Sequence, residues 1–267
     1  MASEPTIQPC SRPANVQRWN GGHRTEDMRE LAAEVPVALV FNGISHAVMM
    51  ATPQDLAAFA VGFALSEGIV DGPADCRDME VATHSEGCTI HMEIAPRQFA
   101  RLKEHRRALA GRTGCGLCGV DSLAALDLHP APLAPQPWLA RLDAATVLRP
   151  FDQLAAHQPL NARTGALHAA GWATPEGRLT DVLEDVGRHN ALDKLLGRLA
   201  LAGRLGEPGF VVMTSRTSYE LVRKCARLHV GALATVSAPT ALAVQLAQEA
   251  HMQLWALCRP PHATRYA

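Results

Sequence analysis

Gly209-Phe-Val-Val-Met-Thr214 and Ala232-Leu-Ala-Thr-Val236 are two short apolar runs, each followed by hydroxyl-bearing residues and then by a helical pattern. Residues 209–258 decide the fold class. Strand 209–214, helix 217–229, strand 232–236, helix 240–250 and strand 253–258 alternate, with helix 189–202 ahead of them. Strands joined by crossover helices predict an α/β unit with a largely parallel sheet. Just upstream, Leu167 to Ala173 and Arg178 to Leu183 read as a hairpin, and residues 149–157 as a helix.

The N-terminal half has a different rhythm. Val35 to Phe41 and Ile44 to Met50 flank Asn42-Gly43, the pair that best fits a two-residue type I′ turn. Thr52 reads as the N-cap and Pro53 as the first residue of a helix running to about Ser66, with Gly68 near its end. Glu80–Thr83 and Thr89–Ile94 form a second hairpin pattern, and residues 97–110 a basic helix with Phe99, Leu102 and Leu109 inward. Residues 129–137, rich in proline, read as a linker. The expected organisation is a polar extension over 1–30, an α+β subdomain over 31–137 and an α/β subdomain over 138–267.

Composition narrows the function. At 267 residues and 48% apolar the chain can build a core, which excludes a disordered class. A net charge of -1 argues against nucleic-acid binding through bulk positive charge, and 4% aromatics argues against a base-stacking platform. The longest apolar stretch, Leu56 to Leu65, is too short to span a bilayer. No signal-peptide pattern opens the sequence. Seven cysteines without regular spacing do not suggest a disulfide framework, so the expected location is the cytoplasm, with thiols reduced.

Chemistry concentrates in Gly111-Arg-Thr-Gly-Cys115-Gly-Leu-Cys118-Gly-Val120. Glycine-rich flanks leave the two thiols little cover. Arg106, Arg107 and Arg112 are close in sequence, and positive charge raises the thiolate fraction. A solvated basic helix face is the plainer reading of those arginines. A structural zinc site needs four ligands and commonly a second CxxC, which is missing. His91-Met-Glu93 followed by Cys115 and Cys118 echoes the zinc deaminase signature. Gly114 nevertheless stands where that signature has proline, and His91 lies in an alternating strand pattern, so His91 and Glu93 read as solvent-facing strand residues. From residue chemistry alone, sulfur or redox work and metal binding remain about equally supported.

Glu184-Asp-Val-Gly-Arg-His-Asn-Ala-Leu-Asp-Lys194 is too polar for an ordinary helix start. We expect Glu184, Asp185, Arg188, His189 and Asp193 to form a network, with the carboxylates neutralised by Arg188 and His189, beneath a ligand site. Thr214-Ser-Arg-Thr-Ser-Tyr-Glu220 and Val236-Ser-Ala-Pro-Thr240 each lie where a strand passes into a helix, a natural place for an anion. Neither matches a Walker A or Rossmann fingerprint.

These segments, together with Val35-Pro-Val-Ala-Leu-Val-Phe-Asn-Gly-Ile-Ser45, Thr52-Pro-Gln-Asp-Leu56, Ser66-Glu-Gly-Ile69, Thr164-Gly165, His168-Ala-Ala170 and Leu242-Ala-Val244, make the chain resemble the FdhD/NarQ family of formate dehydrogenase accessory sulfurtransferases. The resemblance implies a fold similar to cytidine deaminases but without their zinc, so that no metal is expected. It implies an enzyme that takes persulfide sulfur from a cysteine desulfurase and passes it to the molybdenum cofactor, bis-molybdopterin guanine dinucleotide, for a formate dehydrogenase apoenzyme. It implies a homodimer. By position, Cys115 matches the persulfide-carrying cysteine. Cys118 matches its helper, which positions the loop or releases sulfide through a transient disulfide. Cofactor contacts carry over to Ser215, Arg216, Ser218 and Ser237, and to the segment Trp255, Ala256, Leu257, Cys258, Arg259 and Pro260, with Arg216 and Arg259 on phosphates and GDP as a mimic. Many family members carry glycine and phenylalanine where this chain has Ala256 and Leu257. A zinc-dependent deaminase-like hydrolase and a zinc-stabilised scaffold are the alternatives.

Overall fold

A computed structural model describes residues 8–107 and 129–267. Its first elements differ from expectation. The polar stretch read as an extension forms an antiparallel hairpin, β1 (Ser11–Asn20) with β2 (His23–Ala32), turning at Gly21 and Gly22. Most of its side chains are exposed, so hydrophobic periodicity could not reveal it.

β3 (Val35–Phe41) and β4 (Ile44–Ala51) follow, with Asn42 and Gly43 both at positive φ as a type I′ turn requires. The Asn42 amide also exchanges two hydrogen bonds with the backbone of Ile94, at 3.2 and 2.8 Å, which ties this turn to a neighbouring strand. With β5 (Cys76–His84) and β6 (Gly87–Ile94) the order is β4-β3-β6-β5, and only β3 and β6 run parallel. His91 and Glu93 are exposed on β6, as the strand reading expected. Helix α1 (Leu56–Ser66) covers the inner face of this sheet, and α2 (Pro96–Arg107) follows β6.

The C-terminal half contains α3 (Ala144–Leu154), α4 (Pro159–Thr164), β7 (His168–Ala173), β8 (Leu179–Asp185), α5 (Arg188–Leu201), β9 (Phe210–Met213), α6 (Tyr219–Arg227), β10 (Ala232–Thr235), α7 (Ala241–Glu249), β11 (Gln253–Arg259) and β12 (His262–Arg265). Their sheet runs β12-β11-β10-β9-β7-β8. Strands β9, β10 and β11 are parallel, while β12, β7 and β8 are antiparallel additions, so the sheet is mixed. Alternation along β9 places Val211 and Met213 against Leu192, Leu195 and Leu221, and Phe210 and Val212 against Trp138 and Val147. The proline-rich stretch is no free linker. Leu133 donates its N–H to the Ala250 carbonyl at 3.0 Å and buries its side chain in the larger core.

The two sheets meet through α1 and α5. Helix α1 is apolar all round because it is buried on both sides, against β3 and β6 on one and α5 on the other. Gly62 lies against the Asp193 carbonyl and Gly197 against the Ala58 carbonyl, so closely that a Cβ at either would collide with backbone. Gly197→Ala should therefore destabilise the fold by at least about 2 kcal/mol, whereas Gly206→Ala, in open space, should change stability by less than about 0.5 kcal/mol. Urea denaturation midpoints compare the two, and equal midpoints would contradict the close crossing.

Candidate functional site

The motif from Glu184 to Lys194 crosses from the end of β8 into α5, and its charges are partnered differently from the sequence expectation. Asp185 is fully buried, and its Oδ2 lies 2.7 Å from the Lys194 ammonium. The same carboxylate accepts N–H groups from Thr52 at 3.0 Å and Gly187 at 2.7 Å, and the Asn190 amide at 3.0 Å. Lys194 also donates to the carbonyls of Thr52 at 2.9 Å and Glu184 at 3.3 Å. Glu184 accepts from the N–H groups of Leu160 and Asn161, at 3.0 and 2.8 Å, and so caps the N-terminus of α4. Asp193, one turn along α5, meets Lys224 at 2.9 Å and Ser66 at 2.7 Å. The expected neutralisation of these carboxylates by Arg188 and His189 is corrected. Lysines reach into the core with a single compact charge, and backbone N–H groups, the Asn190 amide and the Ser66 hydroxyl supply the remaining donors.

Thr52 shows why the helix start shifts. Its hydroxyl accepts the Val186 N–H at 3.2 Å, so it is engaged with the end of β8, and α1 begins only at Leu56 after Asp55 in the left-handed region. A second buried knot sits beside the first, where Lys224 reaches Glu67 at 2.7 Å and Arg223 reaches it at 2.9 Å. Burial alone would raise the Glu67 pKa, but those two cations hold it well below the usual carboxylate range.

Above this floor, the loops after β9 and β10 are stitched together at the carboxyl edge of the parallel strands. Ser237 donates its N–H to the Ser215 carbonyl at 3.3 Å, Thr240 donates to Thr217 at 3.0 Å, and the Thr217 and Thr235 hydroxyls share a 2.7 Å bond. The Leu257 N–H reaches the Ser237 carbonyl at 3.4 Å, and the Arg259 Nε reaches that of Val236 at 3.3 Å, which brings β11 to the same edge. Ser215, Arg216, Ser218, Ser237, Leu257 and Arg259 thus converge from three separate segments. Arg216, Leu257, Arg259 and Pro260 are exposed. Trp255, Ala256 and Cys258 are buried, with Trp255 and Cys258 in the core behind the sheet, so those three hold the strand rather than present side chains at the edge. Sequence reasoning passed over His168 as a site residue. Its pKa is lowered by burial and further by Arg188 and Arg216, so three nitrogen-bearing side chains share one neighbourhood at this edge. A histidine at a strand start carries no signal of this until the strands are paired.

Cys115 and Cys118 lie outside the described residues, as does Arg112. Burial raises the Cys10 pKa, moves Cys76 to about 11, and pushes Cys225 and Cys258 to about 12, while Cys88 is buried in the core. Buried thiols of this kind are poor nucleophiles.

Comparison with known proteins gives a consistent picture. A family model described as the FdhD/NarQ family matches residues 32–267. "Sulfur carrier protein FdhD" of Chromobacterium violaceum is 53% identical over 244 residues, covering 91% of this chain and 90% of that protein. The protein of that name from Burkholderia mallei is 51% identical over 248 residues, with the same coverage. Its counterpart in Xanthomonas campestris pv. campestris is 46% identical over 269 residues, covering 100% of this chain and 95% of the other. The crystal structure of a protein described as a formate dehydrogenase accessory protein from Desulfotalea psychrophila superposes with a TM-score of 0.70 at 26% identity over 96% of each chain.

His189 gives the site a pH signature. Burial, and then the charges of Arg188 and Lys224, lower its pKa from 6.5 to about 4. Between those values the unfolded chain binds a proton that the folded chain refuses, so stability falls as pH drops through this window. Replacing His189 with Gln should flatten that part of the curve of unfolding free energy against pH. A variant that keeps the full slope would remove His189 as its source.

Proposed function

The chain belongs to the FdhD/NarQ family, and we propose that it accepts persulfide sulfur from a cysteine desulfurase on Cys115 and transfers it to the molybdenum cofactor, bis-molybdopterin guanine dinucleotide, during maturation of a formate dehydrogenase. The observation that carries this reading is full-length similarity to sulfur carrier proteins, joined to a chain whose described cysteines are poorly suited to the work. A sulfur carrier needs an accessible thiolate. The glycine-flanked, arginine-flanked pair Cys115 and Cys118 is the remaining choice.

In this scheme the Cys115 thiolate attacks the outer sulfur of the donor persulfide. One S–S bond forms as another breaks, and the desulfurase cysteine leaves as a thiolate. Release to the acceptor as sulfide requires two electrons. Cys118 provides them by attacking Cys115 Sγ, so that a Cys115–Cys118 disulfide forms and hydrosulfide departs with the electron pair. An external thiol then restores the dithiol.

The cofactor is cargo here, and the carboxyl edge of the six-stranded sheet is our choice for its site. Arg216 and Arg259 offer guanidinium groups to phosphate oxygens, with the hydroxyls of Ser215, Ser218 and Ser237 near the same edge. Among the described residues no helix is long and apolar enough to cross a membrane, which accords with work in the cytoplasm. A homodimer, a cysteine desulfurase and a formate dehydrogenase apoenzyme complete the proposed set of partners.

Mass spectrometry of the protein after incubation with a desulfurase and cysteine tests the carrier role. Wild type should gain one sulfur atom on Cys115, and Cys115→Ala should gain none. A Cys115→Ala protein that loads as wild type does would overturn the assignment.

A further inference from the structure

Among the described residues, three buried polar atoms at the junction of α5 and α6 make no hydrogen bond. Ser218 is the N-cap residue of α6, a helix of nine residues, yet its hydroxyl makes no capping bond and the residue is only 6% exposed. Glu220, in the first turn of the same helix, is 8% exposed, and its Oε2 is likewise unpartnered. His189 on α5 places its unpartnered Nε2 3.9 Å from that oxygen, beyond hydrogen-bond distance. Buried polar atoms are nearly always bonded, because leaving one bare costs free energy comparable to the bond itself. His189 is held in its neutral form by burial and by Arg188 and Lys224, so it does not supply a compensating charge.

The chemistry of these unpartnered atoms specifies a ligand. A carboxylate accepts two N–H donors side by side, as it does from a guanidinium. Arg216 and the partial positive charge at the N-terminal end of α6 favour an anion nearby. Guanine and pterin rings share one edge that meets the first demand, a ring N–H next to an exocyclic NH2, and each can be tethered to phosphate. We infer that Glu220, assisted by Ser218, is the specificity-determining contact for that shared N–H and NH2 edge, with the attached phosphate directed towards Arg216. This rests on the proposed cofactor reading and names the residue that would select the ring. Motif reading passed over Glu220, since a glutamate early in a helix is ordinarily a dipole partner in solvent.

The experiment compares GDP with IDP, which differs only in lacking the exocyclic NH2, by calorimetric titration of the full-length protein. Wild type should bind GDP at least about tenfold more tightly than IDP, as expected when a donor to a charged acceptor is lost. In Glu220→Gln that preference should collapse towards one, with GDP weakened and IDP little changed. Ser218→Ala should weaken both without abolishing the preference, and it keeps the test informative if the Glu220 variant folds poorly. Pterin-6-carboxylate distinguishes the ring sources. Displacement of bound GDP assigns the edge to both rings, and no displacement restricts it to guanine. Equal wild-type affinities for GDP and IDP would overturn the role of Glu220 while leaving the cofactor reading intact, and so would a Glu220→Gln protein that still prefers GDP. A wild-type protein that binds neither nucleotide would overturn the cofactor site and this inference together.

Discussion

A fully buried ion pair, Asp185 with Lys194 at 2.7 Å, holds the molecule together at the point where its parts meet. One carboxylate receives the ammonium, two backbone N–H groups and an amide, and the ammonium turns two carbonyls towards itself. The groups involved belong to the end of β8, the start of α5 and the residue after β4. Removing either partner would leave a buried charge uncompensated, which typically costs about 3–5 kcal/mol. The pair therefore specifies how the four-stranded sheet joins the six-stranded one. The glycine crossing of α1 on α5 makes that junction tight, and Asn190 fastens it again through the Met50 carbonyl at 2.8 Å.

Much of this architecture was legible in the sequence where one residue type has one physical meaning. Asn42-Gly43 gave its turn because few other pairs accept two positive φ angles. The alternation from residue 189 to 258 gave the order of helices and strands there, since each apolar run matched its element within a few residues, while β12 beyond it carried no such run. The failures share a cause. Thr52 reads locally as a cap, yet a contact more than 130 residues away takes its hydroxyl. The β1–β2 hairpin is mostly exposed, and so lacks the periodicity that burial imposes. Arg188 and His189 look like natural partners for Glu184 and Asp185, but the lysine one turn further along the helix is the one whose stem reaches into the core.

The candidate site was legible as loops and not as geometry. Hydroxyls after β9 and β10, with Arg216 after β9, marked the carboxyl edge in advance. Their stitching through Ser215, Thr217, Ser237 and Leu257 depends on strand order, which no local pattern contains. Trp255, Ala256 and Cys258 were grouped with Leu257 and Arg259 by adjacency alone. Trp255 and Cys258, three residues apart, share the core behind the sheet because a bulge between Ala256 and Arg259, with Leu257 in the left-handed region, breaks the strand's alternation. The thiols show the opposite case, since burial disfavours the described cysteines and sequence context favours Cys115.

The proposed account joins a thiol carrier to a cofactor site at the sheet edge, and following the sulfur atom tests it directly. The protein would be loaded on Cys115 with isotopically heavy sulfur and freed of the desulfurase. It would then be mixed with the molybdenum cofactor and formate dehydrogenase apoenzyme. The account predicts that heavy sulfur appears in the cofactor extracted from the enzyme, in proportion to the formate oxidation gained. Activity gained without label in the cofactor, or label retained on Cys115 while the enzyme becomes active, would contradict it.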